Sequence, residues 1–354
     1  MRKKILFLSH SSELYGAEKA LLQMIEGLKK RDFEPILVLP RPGPFQKKAQ
    51  KLGVEIFLIP FKWWLTEKNR VWKQPFSWLW NLKSIVKITR FIERNNVDLV
   101  FSNSAVNFCG AVAARWKKIP HIWCIHEIIG SRNAPVRFLL GKRALVSFIS
   151  AFSTKIIVNS ETTGRSFGEN NKVHTVPNGF VWSPQDRGLK NFYRQKFGYL
   201  AEDYVLGIIG KIYPEKGQMD VLESLDQVVK THPDTKLFVV GEVRDTKYFR
   251  EIQRFIAERK LETHVIFKDY IPEIFDVLAF LDLLVVASNM ESFGRVAVEA
   301  MSVKTAVLAV RAGAMAEIII PDETGFLVDS SEPPPRIKRR RAESSVSAGY
   351  RGGG

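Results

Sequence analysis

The stretch Ser288-Asn289-Met290-Glu291-Ser292-Phe293-Gly294-Arg295-Val296-Ala297-Val298-Glu299-Ala300-Met301 decides how the rest of the chain is read. An apolar run at 283–287 leads straight into it, which predicts a strand, a small-residue turn and a helix. A turn of this kind exposes backbone N–H groups and the positive end of a helix dipole, a setting for phosphate. Glu291 and Glu299 flank the turn, and a carboxylate accepts hydrogen bonds from hydroxyls rather than binding an anion. Phosphate donors set between two hydroxyl acceptors fit a ligand with a diphosphate in its middle and a sugar at each end. Gly294 permits close backbone approach. Glu299, about a turn into the helix, leans back toward its N-terminus, within reach of a ribose beside the phosphates. The plainer account is two surface glutamates around a turn.

Outward from this stretch, short apolar runs alternate with helical segments. Expected strands are 4–9, 35–39, 55–59, 98–102, 122–125 and 155–159, then 205–209, 236–240, 264–267, 283–287, 305–310 and 325–328. Expected helices include 17–31, 45–52, 77–95, 106–116, 136–152, 217–231 and 247–259. Continuous apolar strands suit parallel sheets covered on both faces. Residues 177–203 turn polar and irregular, with Pro177, Asn178, Gly179 and Pro184, and mark a domain boundary. The expectation is α/β: two doubly wound domains, 1–180 and 200–329, with a cleft between the carboxyl ends of their strands. Residues 330–354 hold three consecutive prolines and Arg336-Ile337-Lys338-Arg339-Arg340-Arg341, and read as a disordered basic tail.

The balance of 53 basic and 37 acidic residues leaves a charge of +16, which favours anionic partners. Cys109 and Cys124 lie in apolar contexts and form no disulfide framework, so a reducing compartment is expected. The basic and apolar start imitates a signal peptide, but its apolar core is too short and reads as a first strand. No uncharged apolar run approaches the ~18 residues of a membrane span. No H-E-x-x-H or paired Asp-x-Asp motif suggests a metal.

Four further segments carry chemistry-bearing residues at expected strand ends. Gly210-Lys211-Ile212-Tyr213-Pro214-Glu215-Lys216-Gly217 places two lysines in one loop as a local positive patch. Leu14-Tyr15-Gly16-Ala17-Glu18-Lys19 joins the first strand to the first helix and is no dinucleotide fingerprint. Trp123-Cys124-Ile125-His126-Glu127 ends a strand with an imidazole and a carboxylate, and Ala312-Gly313-Ala314-Met315-Ala316-Glu317 follows another.

Taken together over residues 3–329, and most strongly over 205–329, these segments resemble the retaining glycosyltransferases of the GT-B "glycosyltransferase family 4" group. The resemblance implies a nucleoside-diphosphate sugar as donor substrate, no cofactor and no metal. It implies that Glu299 holds the ribose, Glu291 holds the transferred sugar, and backbone amides around Ser292, Phe293, Gly294 and Arg295 hold the diphosphate. Lys216 and Lys211 would clamp that diphosphate, Lys211 standing where the family has Arg and so without its bidentate geometry. Gly16 would lie near donor and acceptor, His126 would approach the transferred sugar, and Glu127 would orient local backbone. Glu317 would support the site from behind, and Asn178-Gly179 would be an interdomain turn. The family continues beyond the strand at 325–328 with helices that return to the first domain, whereas this chain enters its basic tail. That tail gives weight to one alternative, a truncated non-catalytic protein that binds nucleotide sugar or membrane; the other is a sugar-nucleotide epimerase or hydrolase of the same fold.

Five of the eight tryptophans, Trp63, Trp64, Trp72, Trp78 and Trp80, lie among Lys62, Lys68, Arg70, Lys73, Lys83, Lys87, Arg90 and Arg94. Aromatic residues mixed with cations suit an anionic bilayer surface, and equally the underside of a long loop packed on a core. Arg132, Arg137, Lys142 and Arg143, with residues 138–140, would extend such a surface. It hints at a glycan or lipid-linked acceptor for envelope polysaccharide, and at a cytoplasmic protein, peripheral on the inner face of the plasma membrane. Nucleic acid is the weaker partner, since no recognised binding module accompanies the charge.

Overall fold

Strand β1 (Lys3–Ser9) is flanked on both sides by parallel neighbours, and Leu6, Phe7 and Leu8 are fully buried, so both faces of its sheet are covered. The computed structural model describes residues 2–66, 68–130, 136–180, 188–271 and 273–329. The basic tail expected at 330–354 and the cation Arg132 lie outside them.

The first sheet holds β2 (Phe33–Leu39), β3 (Glu55–Leu58), β4 (Leu99–Asn103), β5 (His121–Ile125), β6 (Lys155–Val158) and β7 (Val173–Thr175), in the order β3-β2-β1-β4-β5-β6-β7. Its helices are α1 (Gly16–Lys29), α2 (Pro44–Lys51), α3 (Gln74–Arg94), α4 (Cys109–Lys117), α5 (Gly141–Phe152) and α6 (Glu161–Arg165). The second sheet holds β8 (Tyr204–Ile209), β9 (Thr235–Val240), β10 (Val265–Lys268), β11 (Leu283–Val286), β12 (Ala306–Val310) and β13 (Phe326–Val328), in the order β10-β9-β8-β11-β12-β13. With it come α7 (Gly188–Lys196), α8 (Gln218–Val228), α9 (Thr246–Arg259), α10 (Ile274–Phe280), α11 (Arg295–Ser302) and α12 (Met315–Ile318). All the strand pairings within the two sheets are parallel. Strand order reverses between β1 and β4 and between β8 and β11, the switch points where such sheets bind ligands.

The expected elements are present with three instructive shifts. The helix expected from 136 starts at Gly141, because Arg137 pairs with Thr66 in an antiparallel bridge and Gly141 adopts a φ of 81°. The helix expected from 106 starts at Cys109, because the Val106 carbonyl accepts the Trp64 amide and the Asn107 side chain accepts the Cys109 amide. The irregular segment at 177–203 contains α7, which packs on the second sheet. There the Tyr193 hydroxyl donates to Asp276 at 2.7 Å, and Arg194 donates to the Asp203 carbonyl at 3.0 Å and pairs with Asp282.

The lobes touch on two sides of the cleft. On one, the Tyr15 hydroxyl donates to Glu242 at 2.9 Å, and the Lys211 ammonium lies 3.7 Å from the Tyr15 ring centre. On the other, the Ser160 hydroxyl donates to the Ser292 carbonyl at 2.6 Å, and the amides of Glu161 and Thr162 donate to the Glu317 carboxylate at 2.8 and 2.7 Å. No described helix is long and apolar enough to cross a membrane.

Candidate active site

The apolar strand β11 ends at Val286, and the chain then runs through residues 287–294 into α11. Gly294 makes the turn at φ 81°, a conformation that costs a side-chain-bearing residue about 1–2 kcal/mol. Glu291 sits on this turn, held from below: an added Cβ on Gly313 would lie 2.0 Å from the Glu291 carbonyl oxygen, and the Ala314 amide donates to that oxygen at 2.8 Å. Among the described residues, no acceptor takes the amides of Ser292, Phe293, Gly294 or Arg295, the orphan donors of a helix start.

Lys216 reaches Glu291 from the loop after β8, its ammonium 2.8 Å from the carboxylate. Both side chains are mostly covered, at 24% and 17% exposure. Burial alone would lower the pKa of Lys216; the Glu291 carboxylate outweighs it and, with Tyr213, holds the ammonium above the ordinary lysine range. The pair walls one side of a cavity of about 320 Å³.

The opposite wall comes from the carboxyl end of β5. His126 Nε2 lies 2.7 Å from Asn103 Oδ1, whose amide nitrogen donates to the Ala17 carbonyl at 3.3 Å. Nε2 therefore carries the proton and Nδ1 is the basic nitrogen. Burial pushes the imidazole down to about 4, against the pull of Glu127, so His126 is neutral near pH 7. Glu127 accepts from the Ser104 hydroxyl and from the amides of Ala105 and His126, both at 3.1 Å. It thereby ties the ends of β4 and β5 together.

The structure thus gathers His126, Glu127, Lys216, Glu291 and Ser292 around one cavity. Phe293 is buried behind the turn at 8% exposure. Gly16 and Lys211 sit elsewhere along the cleft, Gly16 with an added Cβ 3.9 Å from Arg295 Cδ, Lys211 against Tyr15 and, at 3.5 Å, Glu242.

Two expected residues are placed differently from the reading above. Glu299 is 5% exposed and accepts from Arg295 Nε at 2.7 Å, so its carboxylate is already engaged one turn back along its own helix. Glu317 reaches across to α6, where it accepts two backbone amides and the Thr162 hydroxyl. It fastens the lobes to each other. The Arg295 side chain is not among the expected site groups: it stands at the start of α11, and its Nη1 is buried without a partner. The signal was available in its four-residue spacing from Glu299.

Two family models adjoin along this chain. Residues 15–181 match glycosyltransferase family 4, and residues 190–338 match glycosyl transferases group 1. The fold is GT-B, and both matching models describe glycosyltransferases. Among sequence relatives of this glycosyltransferase, an uncharacterised glycosyltransferase of Methanocaldococcus jannaschii is 26% identical over 73% of this chain and 68% of its own length. A D-inositol 3-phosphate glycosyltransferase of Segniliparus rotundus is 29% identical over 61% of this chain and 51% of its own, so the match spans about half of that relative. The fold is shared with Anabaena HepE, solved with UDP and glucose, at a TM-score of 0.78 and 24% identity, covering 93% of this chain and 86% of that one. A Rickettsia africae glycosyltransferase gives a TM-score of 0.73 at 19% identity, covering 94% and 85%.

Proposed function

We infer that this GT-B glycosyltransferase moves a sugar from a nucleoside-diphosphate donor to an acceptor hydroxyl, with retention at the anomeric carbon. The observation that carries the reading is the Lys216–Glu291 pair facing His126 across one cavity at the carboxyl ends of both sheets. The donor diphosphate lies at the start of α11, on the amides of residues 292–295. Lys216 neutralises the departing diphosphate, where fixed charge in a partly dry site stabilises the transition state most. Glu291, freed from Lys216 as the phosphate arrives, accepts hydroxyls of the transferred sugar. The bond from anomeric carbon to phosphate oxygen breaks, the bond to the acceptor oxygen forms on the same face, and the acceptor proton passes to the departing phosphate. His126, neutral and held by Asn103, lines the sugar's side of the cavity. Lys211 and Arg295 lie toward the nucleotide, and the Glu299–Arg295 pair opens to the ribose. The acceptor is a glycan or lipid-linked glycan, met at the cytoplasmic side of an envelope membrane.

Thermal-shift measurements against nucleoside diphosphates and their sugars test the donor first. Uridine is the first base to try, given the UDP-glucose complex of HepE. A specific stabilisation of several degrees by one diphosphate and its sugar is expected. No stabilisation by any member of the panel would remove the donor site from consideration.

A further inference from the structure

Helix α3 is inside out over its first half. Its buried positions there are Gln74 and Asn81 at 0% exposure and Ser84 at 2%, while Phe76, Leu79 and Trp80 face solvent at 67%, 65% and 41%. A helix on a soluble domain normally shows the reverse. These three polar side chains are satisfied, while the Trp78 indole Nε1, on the half-buried ring packed against Phe138, is buried without a partner. Gln74 donates to the Arg137 carbonyl at 2.6 Å and accepts the Leu139 amide at 2.9 Å; Asn81 bonds both the amide and the carbonyl of Lys62 at 2.8 Å; Ser84 donates to the Pro60 carbonyl. The inner face therefore pairs its Gln74, Asn81 and Ser84 side chains, and the outer face is left with large apolar side chains that no part of the described chain covers. From Ile85 onward the helix reverts to the usual sense, with Ile85, Ile88 and Ile92 inside and Lys87, Arg90 and Arg94 outside.

The apolar outer face continues off the helix. Trp72, just before α3, is 61% exposed, and Leu140 is 64% exposed on the segment that Gln74 holds against the helix. Cations stand around it: Lys73 lies 5.1 Å from the Trp72 ring, Lys62 lies 5.1 Å from the Trp80 ring, and α3 contains no acid before Glu93. The expectation of a tryptophan surface is thus divided by the structure. Trp64 is core at 3%, and Trp63, Trp72 and Trp80 are outside.

We propose that this face is a docking surface for an anionic phospholipid bilayer, and that it delivers a lipid-borne acceptor to the cavity. Large apolar and aromatic side chains among cations match the headgroup and upper acyl level of an anionic leaflet, and a chain of charge +16 is drawn to it. The delivery follows from one shared segment. Arg137, Phe138 and Lys142 wall the cavity, while Leu139 and Leu140 between them belong to the exposed face. An acceptor whose chain stays in the bilayer can extend its polar head along 137–142 toward Lys216 and Glu291. This second clause rests on the transfer reading above; the docking does not.

Co-sedimentation of the full chain with vesicles of phosphatidylcholine, alone and mixed with phosphatidylglycerol, tests it. The chain is expected to partition onto the mixed vesicles, less so as salt rises. Trp72→Ser with Phe76→Ser and Leu79→Ser, all more than half exposed, should reduce partition by roughly tenfold or more while the chain stays folded. Lys83→Glu with Lys87→Glu should reduce it by a similar factor and flatten the salt dependence. Equal partition of wild type and variants, no partition onto mixed vesicles, or a wild-type dimer that the triple serine variant turns monomeric would each overturn the proposal. Stabilisation by a nucleoside diphosphate, measured on the same samples, separates the two readings. If it is retained while vesicles are ignored, docking alone fails. If it is absent from a chain that binds vesicles, the donor site fails and docking stands.

Discussion

Lys216→Met isolates the central pair. The ammonium and the Glu291 carboxylate are 2.8 Å apart and about four-fifths covered. Exposed pairs are worth about 0–1 kcal/mol, and removing one partner of a sealed pair costs about 3–5 kcal/mol. A pair between these limits predicts a stability loss of about 2 kcal/mol, arising from the carboxylate left behind. Glu291→Gln in the same chain removes that stranded charge and should recover most of the loss, since the Gly313–Ala314 loop still holds the backbone of residue 291. Turnover should behave oppositely. Losing a charge-assisted contact to the departing diphosphate, worth about 1.5–3 kcal/mol, lowers kcat/KM by roughly ten- to 150-fold. The double variant lacks the sugar's acceptor as well and should regain none of it. Urea melting reports the first quantity and acceptor-dependent release of nucleoside diphosphate the second. If the double variant regained wild-type kcat/KM, the pair would be structural and the chemistry assigned to it would be wrong.

Two further outcomes follow from the same geometry. Gly313→Ala drives a Cβ to 2.0 Å from the Glu291 carbonyl oxygen at a φ of 60°, and should lower Tm by several degrees and abolish donor-induced stabilisation; Gly27→Ala, with nothing within 4 Å, should not lower Tm. His126 and His121 are pushed by burial down to about 4 and about 3, so the unfolded chain binds more protons than the folded one below the ordinary histidine range. Their contribution to stability is whole above about pH 6.5 and is lost as pH falls, about 2 kcal/mol for each by about pH 5. His126→Asn should shrink the fall in urea midpoint between about pH 7.5 and 5; an unchanged fall would show that the imidazole is not buried neutral.

The alternation of apolar runs and helical segments, and the chemistry-bearing loops at strand ends, were legible without a structure. Each is local: a strand pattern, a glycine at a turn and a lysine a few residues on are written in neighbouring positions. Periodicity also placed α3 to within three residues at its start, yet could not say which of its faces turned inward, because polar Gln74, Asn81 and Ser84 are buried by partners at Arg137, Lys62 and Pro60.

What tertiary structure alone decided is which groups meet. Glu291 and Lys216 are 75 residues apart, and Glu317 and Thr162 are 155 apart. The first pair meets at a switch point within one sheet, the second across two domains. Glu317 and Glu291 look alike as acids after strands; one fastens the lobes and the other faces the cavity. A side chain's type and its place at a strand end are properties of the local sequence, but its partner is set by packing over the whole chain, and a buried charge takes whatever counter-charge that packing brings within reach.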